Sequence, residues 1–228
     1  LRVHKLTGIT DRAFIIHSRS FGETSTIFDF LTEENGLIST ILKGAKKRKD
    51  VSQLQPSREF IIGTSKANLP SLIKYELSKP YIIKKKYILL IVYFNELIYR
   101  LVPKNQPQKT LFNFYHNYIS YMSSTDDHHD SVIIGFELLL LKNLGYAVTS
   151  EIPISSIEDN YIFYYDKLVG FKQTNNYYQG YKISGKDLKL VLNFDINSIQ
   201  ERGVVRMITK DIIVNIANPK SIKSFDII

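Results

Sequence analysis

Residues 24–42 read TSTIFDFLTEENGLISTIL. Thr26, Phe28 and Phe30 fall on one face of an alternating segment, and Ile27 and Leu31 fall on the other, as in a β-strand. Asn35-Gly36 is a tight-turn dipeptide, because both residues tolerate positive φ. Residues 37–42 then form the return strand of a hairpin. Working outward, residues 13–19 carry Phe14, Ile15 and Ile16 and read as a strand, followed by a turn at Ser20-Phe21-Gly22. Downstream, Pro56 breaks the chain, Phe60 to Ile62 open a further strand, and residues 72–77 form another that ends before Pro80. Five short strands in about 80 residues match a small Greek-key barrel of the OB type.

The pattern changes after Pro80. Residues 84–102 read as one helix ended by Pro103, and Pro107 opens a second that runs to about Met122. The polar loop SSTDDHHD (123–130) precedes a third helix, 131–144, which is apolar almost all round and belongs at the centre of a bundle. Gly145 terminates it. Residues 161–165 and 168–171 suggest a small hairpin around Asp166-Lys167. Residues 184–193 read as helical, and the Ser198…Glu201 spacing predicts a capping box opening a last helix that runs to about Ala217. The expected class is therefore α+β: an N-terminal OB-fold barrel over 1–82, then an α-helical domain over 83–228 with a small β-hairpin insertion.

The charge is unevenly placed. Of the net +8, residues 1–86 carry 16 Lys and Arg against 8 Asp and Glu, whereas the remainder is balanced at 14 against 14. A basic module joined to a neutral one suits a polyanion-binding domain carried by an adaptor, and on charge alone equally a basic surface that serves solubility. No cysteine is present, which excludes disulfides, thiolate catalysis and Cys-ligated zinc and fits a reducing compartment. The longest apolar run, 87–94, is too short for a membrane-spanning helix. Residues 1–12 are polar and mixed, with no secretory pattern. The sequence opens at Leu1 rather than at an initiator methionine, so a missing or processed stretch ahead of it stays open.

The sequence holds no phosphate-binding P-loop, no dinucleotide fingerprint, no H-E-x-x-H and no nucleophile elbow, so neither a catalytic centre nor a cofactor is expected. Asp126-Asp127-His128-His129-Asp130 has residue types that suit a transition metal. Adjacent ligands on a loop rarely converge, however, and no metal site is assigned. His17 reads as a hydrogen-bonded structural histidine.

The basic features carry more. Lys43, Lys46, Lys47, Arg48 and Lys49 follow the third strand on a Gly-containing loop that can track phosphates. Arg12, Arg19, Arg58, Lys66 and Lys74 lie on or near other barrel strands and widen the patch. Among the interleaved rings Phe14, Phe21, Phe28, Phe30 and Phe60, most are expected to fill the barrel, and Phe21, in a turn, is the one expected to meet a base. On the last helix Arg202, Arg206 and Lys210 share a face, with Lys220 and Lys223 beyond it. They flank an apolar face of Val205, Ile208, Ile212 and Ile216. On pattern alone this second set reads rather as an ordinary amphipathic helix.

Several segments together resemble a known family. Ala13-Phe14-Ile15-Ile16-His17-Ser18-Arg19 leads into Gly22-Glu23-Thr24-Ser25, then Phe30-Leu31-Thr32-Glu33-Glu34-Asn35-Gly36, Leu42-Lys43-Gly44-Ala45-Lys46 and Leu54-Gln55-Pro56. This order resembles the N-terminal signature of RecO recombination mediators. Tyr93-Phe94-Asn95-Glu96-Leu97, Phe136-Glu137-Leu138-Leu139-Leu140 and Leu144-Gly145-Tyr146 resemble that family's helical-domain signatures.

The resemblance implies an OB-fold followed by a helical domain, and a protein that binds single- and double-stranded DNA and anneals complementary strands. It also implies help in loading RecA onto DNA coated with single-stranded-DNA-binding protein (SSB), with RecR as partner and a cytoplasmic, nucleoid-associated location. Many relatives carry a four-cysteine zinc site after the position of Gly145, so this chain resembles the zinc-free branch. Relatives that bind the acidic SSB tail often carry arginines just before F-E-L, where Ile134 and Gly135 stand here. Tail binding is then expected to shift onto Arg206, Lys210, Lys220 and Lys223. The alternatives are an OB-fold acting on RNA, a metal-dependent nuclease built on residues 126–130, or a protein scaffold.

Overall fold

The computed structural model describes residues 9–174, 180–217 and 222–228. The chain forms two compact units, one of residues up to Thr125 together with Lys223–Ile228, the other of Asp126–Ile222.

The first unit is built on a five-stranded antiparallel sheet in the order β3-β2-β1-β4-β5. Its strands are β1 (Ile9–Phe21), β2 (Ser25–Thr32), β3 (Gly36–Leu42), β4 (Arg58–Thr64) and β5 (Leu72–Pro80). β1 serves both halves: β4 pairs with its first part, Ile9 to Phe14, and β2 with Ala13 to Phe21. The register shifts between Ile15 and His17, and this bulge lets the long strand bend. The edge strands meet at one point, where Ile41 pairs in parallel with Ser71 and the Ile41 N–H donates to the Pro70 carbonyl at 2.8 Å. This strand order is that of an OB-fold. Its interior is Ala13, Ile15, Phe28, Phe30, Leu42, Phe60, Ile62 and Leu72, closed at one end by Ala45 and Leu54.

The β2–β3 hairpin differs from the sequence reading. Its loop is residues 33–35, and only Gly36 takes a positive φ, +69°. Asn35 contributes through its side chain, whose Nδ2 donates to Asp11 Oδ2 at 2.7 Å. β5 also continues through Pro80. Proline is tolerated there because it sits at the end of an edge strand, opposite Arg58.

Both faces of β2 are buried from Ile27 onward. One faces the barrel interior. The other lies beneath α2 (Lys109–Ser124), while α1 (Ile88–Leu101) packs on β1, both outside the barrel. Phe14 sits 5.7 Å from Phe112 and 5.2 Å from Tyr115, ring centre to ring centre. The buried Tyr115 hydroxyl donates to Asn95 Oδ1 at 2.6 Å, and Asn95 Nδ2 reaches the Ile15 carbonyl. Burial and that bond are the reasons two helices belong to the barrel's unit.

The second unit centres on α3 (His129–Asn143), whose residues from Ser131 to Leu138 are all buried, as its all-round apolarity requires. α5 (Arg202–Ala217) packs against it. A three-stranded sheet of β6 (Ile162–Asp166), β7 (Gly170–Gln173) and β8 (Lys182–Ser184) lies beside α4 (Gly185–Leu192). The expected hairpin is thus β6–β7, and β8 adds to it. The expected capping box does not form: the Ser198 hydroxyl turns back to Asp195, and the Glu201 carboxylate accepts from the Ser184 N–H. The buried Asp187 instead fixes the approach to α5, accepting from the N–H groups of Gln200 at 3.0 Å and Glu201 at 2.6 Å just ahead of it. Among the described residues no helix is long and apolar enough to cross a membrane.

Candidate nucleic-acid interface

The basic segment after β3 is ordered by its own apolar residues. Ala45 and Leu54 are buried in the barrel and Val51 packs on it, while two short 3-10 turns, Ala45–Lys47 and Lys49–Gln53, carry the chain across. With the apolar side chains turned in, Lys43, Lys46, Lys47, Arg48 and Lys49 are left exposed. The Lys46 N–H donates to the Thr24 carbonyl at 3.0 Å, which pins this loop to the β1–β2 turn. At the head of that turn Phe21 is 49% exposed, whereas Phe14, Phe28, Phe30 and Phe60 are buried. The β4–β5 turn bearing exposed Lys66 joins through Pro70 and Ser71 at Ile41, two residues before Lys43. Three loops thus meet around the end of β3.

The cations divide into two groups. Lys43, Lys46, Lys47, Lys49 and Lys66 make no ion pair with a described residue; Lys46 Nζ touches only the Gly22 carbonyl. Arg48, in contrast, holds Asp50 through two hydrogen bonds and lies 5.3 Å from the Tyr75 ring centre. Arg48 and the Tyr75 hydroxyl, which donates at 2.6 Å, hold the Asp50 carboxyl well below its usual range. Burial and the Asp50 hydrogen bond push Tyr75 up to about 12. This trio rivets the basic loop to β5.

Arg12 is bound to Glu59 at 2.7 Å and Glu33 at 3.2 Å and lies over Phe112. Lys74 pairs with Glu76 at 2.9 Å, and Arg58 donates weakly to the Gln53 carbonyl. Arg19 donates to Asp29 at 2.5 Å. Asp29, fully buried, is the hub of a row across three strands, with His17 and Ser39 as its direct neighbours on β1 and β3. Lys104 completes it, donating to Asp29 at 2.6 Å and to Ser39 at 2.9 Å. Sequence reading missed Lys104, because nothing near it signals a partner 75 residues away.

The comparisons with known proteins agree with this architecture. The family model described as Recombination protein O N terminal matches residues 6–81, and Recombination protein O C terminal matches 86–208. The chain belongs to the recombination protein O (RecO) family. A DNA repair protein RecO of Pseudoalteromonas translucida is 26% identical over 219 residues, covering 93% of this chain and 94% of that one. That of Hamiltonella defensa is 36% identical over 141 residues, 60% of each chain. That of Haemophilus influenzae strain 86-028NP is 32% identical over 141 residues, 60% of this chain and 59% of the relative. A role in DNA repair and recombination follows from the family.

Within this RecO-family chain, the proposed partner-binding cations do not assemble as one stripe. Arg206 donates to the fully buried Glu137, as does the Thr209 hydroxyl. Glu137 is the acid of the Phe136-Glu137-Leu138 motif, so the motif serves the core of α3 and α5. Ile134 and Gly135 are buried as well. Arg202 donates to the Asn197 carbonyl at 2.6 Å, and Lys210 is exposed. Lys223 belongs to the other compact unit, and Lys220 lies outside the described residues. The polar loop 126–130 has a structural use: His128 caps α3 by accepting from the Asp130 N–H, and Asp127 accepts from Asn197 at 3.0 Å. No group of three or more metal-ligating side chains occurs among the described residues.

Proposed function

We propose that this RecO-family protein acts without a catalytic centre, binding single- and double-stranded DNA through the loop end of its barrel and annealing complementary strands. The observation that carries this reading is the ordered loop presenting Lys43, Lys46, Lys47 and Lys49, with no carboxylate partner, beside the exposed ring of Phe21. Lysines held in register can each displace a condensed counterion from a phosphate, which gives affinity that falls with salt. An exposed ring at the edge of that track offers a base a stacking surface. Neutralising two backbones at one surface lowers their repulsion and raises local strand concentration, so pairing speeds up.

In this reading residues 1–82 are the nucleic-acid module, and 83–228 serve partners. By family analogy these are RecR and the SSB tail, with RecA loading as the outcome and the nucleoid as the place. Lys66 extends the track and Arg48 anchors it to β5 through Asp50 and Tyr75, whereas Arg12, Arg19, Arg58 and Lys74 are engaged in contacts of their own. The test is Lys43, Lys46, Lys47 and Lys49→Ala in one chain. Affinity for a labelled oligonucleotide should fall, the slope of log K against log salt should flatten by up to about 4, and annealing should slow in step. An unchanged slope in a folded variant would end this assignment.

A further inference from the structure

β1 has an unfinished edge. β4 leaves it after Phe14, so from Ile15 to Phe21 it is paired on the β2 side alone. α1 and residues 54–56 fill the space beside that edge incompletely and leave a cleft of about 480 Å³. Its lining is mixed: Ile16, Leu54, Pro56 and Val92 give aliphatic patches, beside Ser18, Asn95 and the stacked rings of His17 and Tyr99. Val92 is about half exposed, and Ile88 and Leu89, one turn earlier on the same helix face, are exposed too, so the apolar surface runs out of the cleft along α1.

The cleft also carries cations. Arg100 and Lys223 line it, and the Arg100 Nε is buried without a hydrogen-bond acceptor among the described residues, 3.7 Å from Glu96. Glu96 is the one carboxylate of the lining, and it is already engaged. It accepts from the N–H of Lys223 at 3.1 Å and from the N–H and hydroxyl of Ser224 at 2.8 and 2.5 Å. The cleft therefore offers three things together: a strand edge with backbone donors and acceptors, aliphatic patches, and two cations in its lining.

We infer that this cleft takes an extended acidic segment of a partner protein, which adds as a strand to β1 beyond Ile15. Strand addition draws affinity from main-chain hydrogen bonds and selectivity from alternate side chains. Apolar residues of the segment would lie on Ile16, Leu54 and Val92, and its carboxylates would meet Arg100 and Lys223. The unpaired β1 edge favours a polypeptide over a nucleotide, because only a polypeptide backbone carries the alternating N–H and C=O groups that extend a ladder.

The test uses the full chain and a fluorescein-labelled peptide, Asp-Val-Asp-Val-Asp-Val-Asp, read by fluorescence anisotropy. Saturable binding is expected with a Kd below about 100 μM. Val92→Glu and Arg100→Gln should each weaken it by about tenfold or more, while thermal melting confirms that the variants fold. The same peptide N-methylated at alternate residues should not bind, because strand addition needs its N–H groups. Three results would overturn the inference: no saturable binding to the parent chain, equal binding of the N-methylated peptide, or Val92→Glu weakening oligo(dT) binding or self-association in place of peptide binding.

Discussion

Lys104 and Asp29, 75 residues apart in sequence, are joined by a 2.6 Å ion pair beneath the barrel surface, with Arg19, His17 and Ser39 gathered on the same carboxylate. The segment after α1 is drawn alongside β3 at this point. Leu37 pairs in parallel with Lys104, and the Asn105 N–H donates to the Leu37 carbonyl. One buried charge thus ties three strands and the end of a helix together. Removing it leaves Lys104 and Arg19 without their acceptor, but both are partly exposed and water can take its place, so the loss is that of charged hydrogen bonds, about 1–3 kcal/mol. Asp29→Ala should lower the unfolding free energy read from urea denaturation by that much; a loss below about 0.5 kcal/mol would mean that solvent replaces the carboxylate.

The same group makes stability depend on acid. Burial alone would raise the Asp29 carboxyl, but hydrogen bonds from Lys104 and Ser39 and the charges of Lys104 and Arg19 outweigh it and hold the group below its ordinary value. A carboxyl depressed in the folded state adds stability that is whole above its unfolded pKa and is lost as pH falls through the folded one. Glu96, hydrogen-bonded by Ser224 and Lys223, is lowered too and works in the same direction. Melting temperature should therefore drop as pH is taken below about 4, and Asp29→Asn should flatten that drop.

Gly36 is the pivot of the β2–β3 hairpin. At φ +69° an added Cβ would stand 1.8 Å from the Gln106 carbonyl oxygen, which is backbone and cannot swing away. Gly36→Ala should cost clearly more than the ~1 kcal/mol of a strained turn alone. Gly22, also at positive φ but with nothing within 4 Å, is the control and should show only the smaller loss on denaturant unfolding.

In the second unit Glu137→Ala should destabilise by about 3–5 kcal/mol, because Arg206 and Thr209 lose their buried acceptor. Glu137→Leu combined with Arg206→Met should recover much of it, since a matched apolar pair has no charge to strand. If the double variant is as weak as the single one, the pair is doing something other than satisfying charge.

Phe21→Ala should weaken single-stranded more than double-stranded binding, by about 1–3 kcal/mol for each base that stacks. The ring is half exposed and supports no core, so melting temperature should hold. Equal loss on both substrates, measured by anisotropy titration, would remove Phe21 from the proposed track.

Much of this was readable in the linear order of residues. Alternation in 24–31 and 37–42, the glycine at 36, the apolar girth of 131–144 and the prolines at 103 and 107 each act over a few residues, and each specifies an element where one stands. The concentration of positive charge before residue 87, and the family signatures, are likewise properties of order and composition.

What only the tertiary structure decided is which charges remain available. Arg12 finds Glu59 across 47 residues, Arg206 finds Glu137 across 69, and Lys104 finds Asp29 across 75, so cations that look alike in the sequence end as internal ties, whereas Lys43, Lys47 and Lys49 do not. The reason is that an ion pair depends on separation in space, which falls within a few ångströms only after the sheet is closed and the helices are laid upon it. Spacing along a chain reports such distances within a helix turn or across a tight hairpin, and nowhere else.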